Sequence, residues 1–454
     1  MPMTFRDELR AMVRLALPIV AVQLGQMLMG VVDTIMVGHV SPEAIAAVAL
    51  GNLYFFGAAI FGMGALMALD PVVAQAVGAG DTIGVARGVQ RGLILALGLS
   101  VVATALLLPA RPVLGLLRQP AGVADVAATY ARVEIVGILP FYLFGALRQS
   151  LQAIKRVAPI VGAIVAGNLT NVGLNYLWIY GNLGFPAGGA IGSAWATSVS
   201  RWVMLALLLA VAWRSLRPQL IPLRREALAW EPLRRMVVLG APIGIQYELE
   251  YGVFAVVGIM MGWMGMEQLA GHQVALNLAS LAFMVPLGVS AAAAVLVGHA
   301  VGRGDIAEAR RAAAAGLVAG VGFMSASALV MLLLPMSLAR IYTTDAGVAA
   351  LAASLIPIAG VFQVFDGIQV VSIGILRGVA DTRAPMVVNV LGFWLVGLPV
   401  SAALGFGAGG GPRGLWWGLT VGLMLVALIL VWRVRRRLSG AVARIVIDRD
   451  VARA

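Results

Sequence analysis

The sequence predicts an all-α integral membrane protein of about twelve transmembrane helices, arranged as two pseudo-symmetric six-helix lobes. Three observations predict it: too little charge for a water-soluble surface, twelve long apolar stretches, and an internal repeat. Of 454 residues, 61% are hydrophobic and 11% charged. A soluble domain carries roughly 25% charged residues, so lipid must solvate much of this chain. The 55 glycines suit helices that pack backbone to backbone in a bilayer.

A helix needs ~20 mostly apolar residues to cross the hydrocarbon. In chain order the candidate spans are 14–38, 44–77, 85–109, 121–150, 157–180 and 188–213, then 236–262, 267–300, 309–335, 346–376, 385–406 and 413–433. The first is too long for a signal-peptide core and follows Arg6, Arg10 and Arg14 without a convincing cleavage site, so it reads as a retained helix. The longest polar interruption runs from Arg214 to Arg235. It divides the chain into an N-terminal lobe (1–213), a basic linker (214–235), a C-terminal lobe (236–437) and a tail (438–454). Most of the 32 basic residues, Arg87, Arg91, Lys155, Arg156, Arg303 and Arg433 among them, fall on the side that holds both termini, whereas Arg111, Arg118, Arg340 and Arg413 fall opposite. The positive-inside rule then places both termini in the cytoplasm.

The halves repeat. Pro18 and Pro242 stand 224 residues apart, Asp81 and Asp305 again 224, and Pro159 and Pro385 226. Each copy holds an even number of spans, so both enter the membrane from the same side. Folds built from such parallel repeats bind substrate between the halves and alternate access by moving one against the other. A transporter is therefore expected. The absence of cysteine excludes disulfides and thiolate chemistry. His39, His272 and His299 lack metal-site spacing; for the latter two, hydrogen bonding at a helix end is expected. No phosphate loop is present, so ATP is not the direct energy source. No catalytic cluster stands at an interface, and the chain is expected not to be an enzyme. The net charge of +12 reads as topology, not as nucleic-acid binding.

Acids inside spans cost ~3 kcal/mol each on insertion scales and usually have a role. Asp33 lies late in the first span, with Gln26 two turns earlier on the same face; it reads as a cation or proton site. In the seventh span Glu248 and Glu250 point to roughly opposite faces, and physics alone does not choose between them. Asp366 lies mid-span in the tenth, sharing a face with Phe362 and Gln369, which is what an organic cation wants: charge plus an aromatic ring. The same carboxylate could hold sodium or a proton. Asn168, Asn171 and Asn175 in the fifth span, with Ser193 and Thr197 in the sixth, could complete coordination around Asp33; the same residues serve equally as interhelical hydrogen-bonding glue. Asp70, followed by Pro71, reads as structural. Glu134, Glu248 and Arg201 receive no role from the sequence.

These residues resemble the multidrug and toxic compound extrusion family, in its bacterial NorM-type branch, over nearly the whole chain. The likeness rests on Asp33 to Gly38, Pro71 to Gly78, Pro242-Ile243, Glu250 with Phe254 to Val256, Gly271 to Asn277, Asp366 to Gln369, and Leu376 to Gly378 with Asp381 to Arg383. The resemblance implies a V-shaped pair of lobes and efflux of organic cations or amphipathic drugs in exchange for Na+ or H+. It implies that Glu250 rather than Glu248 is the coupling carboxylate, with Asp366 its partner. Asp33, Asn171, Asn175 and Thr197 match the family's N-lobe cation site, and sodium is expected at Asp33 or at Glu250/Asp366. Phe362 stands where some sodium-coupled relatives carry a tyrosine, which weakens sodium and leaves protons open. Gln26, Met29, Tyr247, Phe254, Phe362 and Gln369 are assigned to the substrate cavity. No cofactor beyond the coupling ion is expected, and the partners expected are small organic cations and membrane lipid, with the protein a monomer. Rival readings are a lipid-linked oligosaccharide flippase, which would line its cavity with arginines, and a non-transporting membrane enzyme or sensor.

Overall fold

The computed structural model describes residues 4–116 and 121–448. Arg118 and the last six residues of the tail lie outside the described residues. Among the described residues, twelve helices are long and apolar enough to cross a membrane. They are α1 (Phe5–Gly38), α2 (Pro42–Gly78), α3 (Thr82–Leu107), α4 (Gly122–Ala153), α5 (Ala158–Trp178) and α6 (Gly189–Leu220), followed by α7 (Trp230–Met264), α8 (Met266–Arg303), α9 (Ile306–Leu333), α10 (Ala346–Gly378), α11 (Arg383–Gly407) and α12 (Gly411–Ser439). Hydropathy marks the lipid-facing part of a helix, not its end. Thus α1 begins at Phe5 instead of 14, α6 runs to Leu220 instead of 213, and α7 begins at Trp230 instead of 236. Most of the expected linker is accordingly helix. What remains is 221–229, with one short turn at Arg225–Leu228. Gln90 of α3 pins this segment, donating to the carbonyls of Gln219 (2.9 Å) and Pro222 (3.0 Å) and accepting from the Arg224 amide (2.9 Å).

The repeat is legible bond by bond. Gly80 and Gly304 both take left-handed backbone, at φ 69° and 77°, a conformation that costs glycine little. The amide of Asp81 then bonds Ala76 O (2.9 Å) and that of Asp305 bonds Ala300 O (3.0 Å). Both aspartates turn their side chains onto the next helix, Asp81 accepting from Gly84 N (2.7 Å) and Asp305 from Glu308 N (2.8 Å). An N-cap of this kind contributes about 1 kcal/mol. Lys155 and Ala380 repeat the theme at φ 58° and 59°, each preceding an amide that reaches back 2.8 Å to a leucine carbonyl, Arg156 to Leu151 and Asp381 to Leu376. Two short helices outside the spans, Ala110–Leu116 and Pro335–Tyr342, follow α3 and α9 in the same register.

Packing groups the chain into two compact units that cross the sequence halves. One holds Met1–Val20 with Ile245–Ile445, the other Ala21–Gly244 with Val446–Ala454. So the first part of α1 packs with the later helices, the first part of α7 with the earlier ones, and the linker belongs with the earlier helices throughout. The crossings occur just after Pro18 and Pro242, which interrupt the helical bonding of α1 and α7. Each crossing has a glycine under it. A Cβ on Gly64 of α2 would lie 2.7 Å from Gly244 Cα of α7, and one on Gly288 of α8 would lie 2.5 Å from Val20 Cγ2 of α1. Within the second half, α11 carries wide i→i+5 turns at Val390–Gly397 and Ala403–Gly407, irregularities that gather at functional sites.

Candidate functional site

In the unit of Ala21–Gly244, Asp33 stands in the last two turns of α1 and is 2% exposed. Asn171 and Asn175 are one turn apart on α5, hence on one face, and both are fully buried. Thr197 comes from α6. Asn175 Nδ2 donates to Asp33 Oδ1 and Thr197 Oγ1 to Asp33 Oδ2, each at 2.6 Å. Asn175 Nδ2 also reaches Asn171 Oδ1 (3.1 Å), and Asn171 Nδ2 donates to Thr197 Oγ1 (3.2 Å). Three helices thus wrap one carboxylate in a closed ring of neutral polar groups. Asn168 does not join; its amide bonds the carbonyls of Gly25 and Ile164. Ser193 is fully buried on the same helix as Thr197, and its hydroxyl bonds nothing among the described residues.

Glu134 and Arg201, unassigned by the sequence, form a buried ion pair beside this ring. Arg201 Nη1 donates to Glu134 Oε2 at 2.5 Å, between α6 and α4. Glu134 is fully buried. The guanidinium lies over the rings of Phe55 (4.5 Å) and Phe141 (5.2 Å). Asp33, Glu134 and Arg201 are within electrostatic reach of one another.

In the unit of Ile245–Ile445, Glu250 of α7 accepts from Asn389 Nδ2 (3.4 Å) and from Gln246. Asn389 lies at the entry to the first wide turn of α11, and its Oδ1 accepts from Gln369 Nε2 of α10 (3.2 Å). Asp366 stands one turn before Gln369 on the same helix, with Glu250 within electrostatic reach. Among the described residues no arginine pairs with either carboxylate. Phe362 is 2% exposed, edge-on to Phe254 (6.2 Å) and Trp416 (5.7 Å). This aromatic chain continues to His272, whose ring lies 5.7 Å from Trp416. Hydrogen bonding at a helix end was the sequence expectation for His272. Instead the ring is 1% exposed and neither nitrogen has a hydrogen-bond partner among the described residues, because it packs against an indole rather than a helix terminus.

The structure therefore joins Asp33, Asn171, Asn175 and Thr197 in one group and Glu250, Asp366 and Gln369 in another, with Phe254 and Phe362 packed on each other. It separates Glu248 from the second group: Tyr251 is the titratable group near it. Gln26 shares the face of Asp33 but is held elsewhere, accepting with Gln23 from Arg148 of α4. Met29 and Tyr247 are half-buried. Sequence reasoning missed Asn389 and Arg148. The available signal for both was a polar residue inside an expected span, although each lies within five residues of that span's end.

The MatE family model matches the chain twice, over residues 18–177 and 242–403, each copy starting at the kink proline of its half. The multidrug resistance protein NorM of Burkholderia vietnamiensis is 37% identical over 442 residues, covering 95% of this chain and 94% of that protein. The multidrug resistance protein MdtK of Edwardsiella ictaluri is 34% identical over 439 residues, covering 94% and 95%. Among solved structures, the eukaryotic MATE transporter AtDTX14 superposes with a TM-score of 0.87 at 21% identity, covering 96% of this chain and 99% of its own. A pattern duplicated in the two halves, matched by the family model in both copies and shared over nearly the whole length with such relatives, means that the chain belongs to the MatE family, the multidrug and toxic compound extrusion family its motifs resemble.

Proposed function

We propose that the protein is a secondary multidrug efflux transporter of the bacterial inner membrane, exchanging organic cations or amphipathic drugs for inward-moving Na+ or H+. Both termini face the cytoplasm in this reading, in keeping with the placement of arginine. The observation that carries it is a pair of acid sites, one in each unit: Asp33 buried in a ring of neutral amides and a hydroxyl, and Glu250 with Asp366, both half-buried, Glu250 held by neutral amides. A carboxylate inside a membrane span is costly unless its charge is met, and among the described residues no arginine meets it at Glu250/Asp366. A monovalent cation or a cationic drug does. Binding of the driving cation neutralises the carboxylates and weakens their hold on the drug; the drug in turn competes for the same acids. At Asp33 a proton can enter the ring once the Thr197 hydroxyl turns to accept from the carboxyl. Sodium needs oxygen ligands, which Thr197 Oγ1 offers directly and Asn175 offers once its amide turns over. The rival flippase reading fits less well with acids at these positions, and the names of the relatives, multidrug resistance proteins, favour export of drugs.

The test is dye efflux from cells and from proteoliposomes with sodium and pH gradients imposed separately. At least one of the two gradients imposed alone should drive export by the wild-type protein, and the one that does identifies the driving cation. D33N, E250Q and D366N variants present in the membrane at normal amounts should lose it. Near-normal efflux by E250Q and D366N would overturn the exchange mechanism.

A further inference from the structure

We propose that Glu134 and Arg201 set the charge of the Asp33 site, so that this unit takes up one monovalent cation in each cycle. The proposal rests on the reading of Asp33 as the residue that binds the driving cation. Glu134 is fully buried, Arg201 is 11% exposed at its side chain, and the two pair at 2.5 Å. One oxygen of Glu134 has no partner among the described residues, so the pair does not serve simply to satisfy that carboxylate. Asp33 feels Arg201, and Glu134 feels Asp33.

The groups that face Asp33 are few. Tyr130 and Glu134 come from α4 and Arg201 from α6. Asn52 of α2, which meets the Tyr130 hydroxyl, and Asn171 and Asn175 of α5 are neutral. Arg132, two residues from Glu134, is exposed and on another face. Two carboxylates and one guanidinium leave the cluster at −1 when Asp33 is ionised, because arginine does not give up its proton in proteins. One monovalent cation brings it to zero. In a dry interior that is the stable count, since each uncompensated charge is expensive there.

The arrangement also explains why an arginine so close does not silence Asp33. Glu134 occupies it, and the rings of Phe55 and Phe141 hold the guanidinium on that side. Without Glu134, Arg201 would neutralise Asp33 itself, and an entering cation would carry the cluster to +1. Without Arg201 the cluster would stand at −2 and hold its first cation too tightly. Glu134 and Arg201 are thus positioning residues: they touch neither drug nor driving cation.

Removal of either charge therefore shifts the cation dependence in opposite directions, and removal of both restores it. The assay is drug efflux from proteoliposomes, read as the driving-cation concentration that gives half-maximal rate. E134Q should need about ten-fold more cation, and R201Q about ten-fold less, for a single charge acting at short range in a partly screened interior. E134Q/R201Q should return to the wild-type midpoint, and R201K should stay near it. A merely structural ion pair would lower the amount of folded protein or the maximal rate and leave the midpoint in place; unshifted midpoints in E134Q and R201Q, or a double variant that stays shifted, overturn the proposal. Should R201Q fail to reach the membrane, E134Q against R201K decides, since only the former should move. D33N separates the two ideas: wild-type cation dependence in D33N sinks the Asp33 reading itself, whereas loss of it in D33N with no shift in the other variants sinks only the role given to Glu134 and Arg201.

Discussion

Adding one methyl group at Gly64 should destabilise the protein, while the same change at Gly57, two turns earlier on α2, should not. A Cβ on Gly64 would lie 2.7 Å from Gly244 Cα, 3.0 Å from Gly244 N and 3.0 Å from Ile243 O. All three are backbone atoms, so no side chain can swing away. Carbon atoms sit comfortably at about 3.5–4.0 Å, so α7 would have to retreat by about 1 Å at its crossing. Overpacking of this kind costs about 1–3 kcal/mol, and the helical preference of alanine over glycine returns only about 0.5–1 kcal/mol. The net expectation for Gly64→Ala is a loss of about 1–2 kcal/mol. At Gly57 a Cβ meets nothing within 4 Å, so only the alanine gain of about 0.5–1 kcal/mol remains. Thermal unfolding of the purified variants in one detergent gives the rank order. Gly288→Ala, the repeat counterpart facing Val20, should behave like Gly64→Ala in sign and size, since behind the Val20 methyl at 2.5 Å stand the Val20 backbone N at 2.9 Å and Cα at 3.1 Å. If Gly64→Ala unfolds at or above the temperature of Gly57→Ala, the close approach of α2 and α7 is not what fixes the crossing.

Asn389→Leu should leave the protein folded but cut efflux about ten-fold, because it removes one donor to Glu250 and the acceptor of Gln369, a deficit of about 1–3 kcal/mol at a buried polar site; efflux in cells normalised to membrane protein checks it. Asp81→Ala and Asp305→Ala should each lose about 1 kcal/mol as helix caps, with equal effects, and the double variant should lose their sum in thermal unfolding. Asp448→Ala should lower the unfolding temperature clearly, since Arg91 is 1% exposed and would be left with the Glu226 carbonyl, whereas Asp125→Ala, which breaks a pair with Arg111 at sites more than half exposed, should change little.

The twelve spans were legible because apolar length is a one-dimensional property. Their ends were not: hydropathy falls where lipid ends, yet α6 and α7 continue as helices into the linker. The crossings after Pro18 and Pro242 were invisible as well. The sequence marks the prolines and the glycines at 64 and 288, but which helix meets which glycine is a fact about three-dimensional packing. At the sites, Asp33 with Asn171, Asn175 and Thr197 could be gathered from spacing and resemblance together, since two of the four lie one turn apart. The Glu134–Arg201 pair could not, because its partners sit 67 residues apart on different helices. Nothing local in either sequence neighbourhood points to the other.

The scaffold is duplicated, but the chemistry on it is not. In the register of the first span, Asp33 corresponds to Val257, which is fully buried and apolar, while Glu250 corresponds to Gln26. The bond from Gly192 to Gly188 recurs from Gly414 to Gly410, a register of 222 that sets Thr197 against Leu419 and Arg201 against Leu423, both fully buried. The register of Lys155 and Ala380 sets Glu134 against Ala359 and Asp366 against Phe141, the ring that carries the Arg201 guanidinium. Asp33, Glu134, Arg201 and Asp366 thus each stand against hydrocarbon or aromatic surface in the other half, and Glu250 stands against an uncharged amide. One site keeps a single acid ring with a compensated arginine beside it; at the other stand two acids with which, among the described residues, no arginine pairs. Two sites of identical composition would answer the same cation concentration together. Under the exchange proposed above, sites of different charge count would answer at different cation concentrations, so one gradient would load them in sequence, and a repeat in backbone with divergence in charge is the arrangement that would permit it.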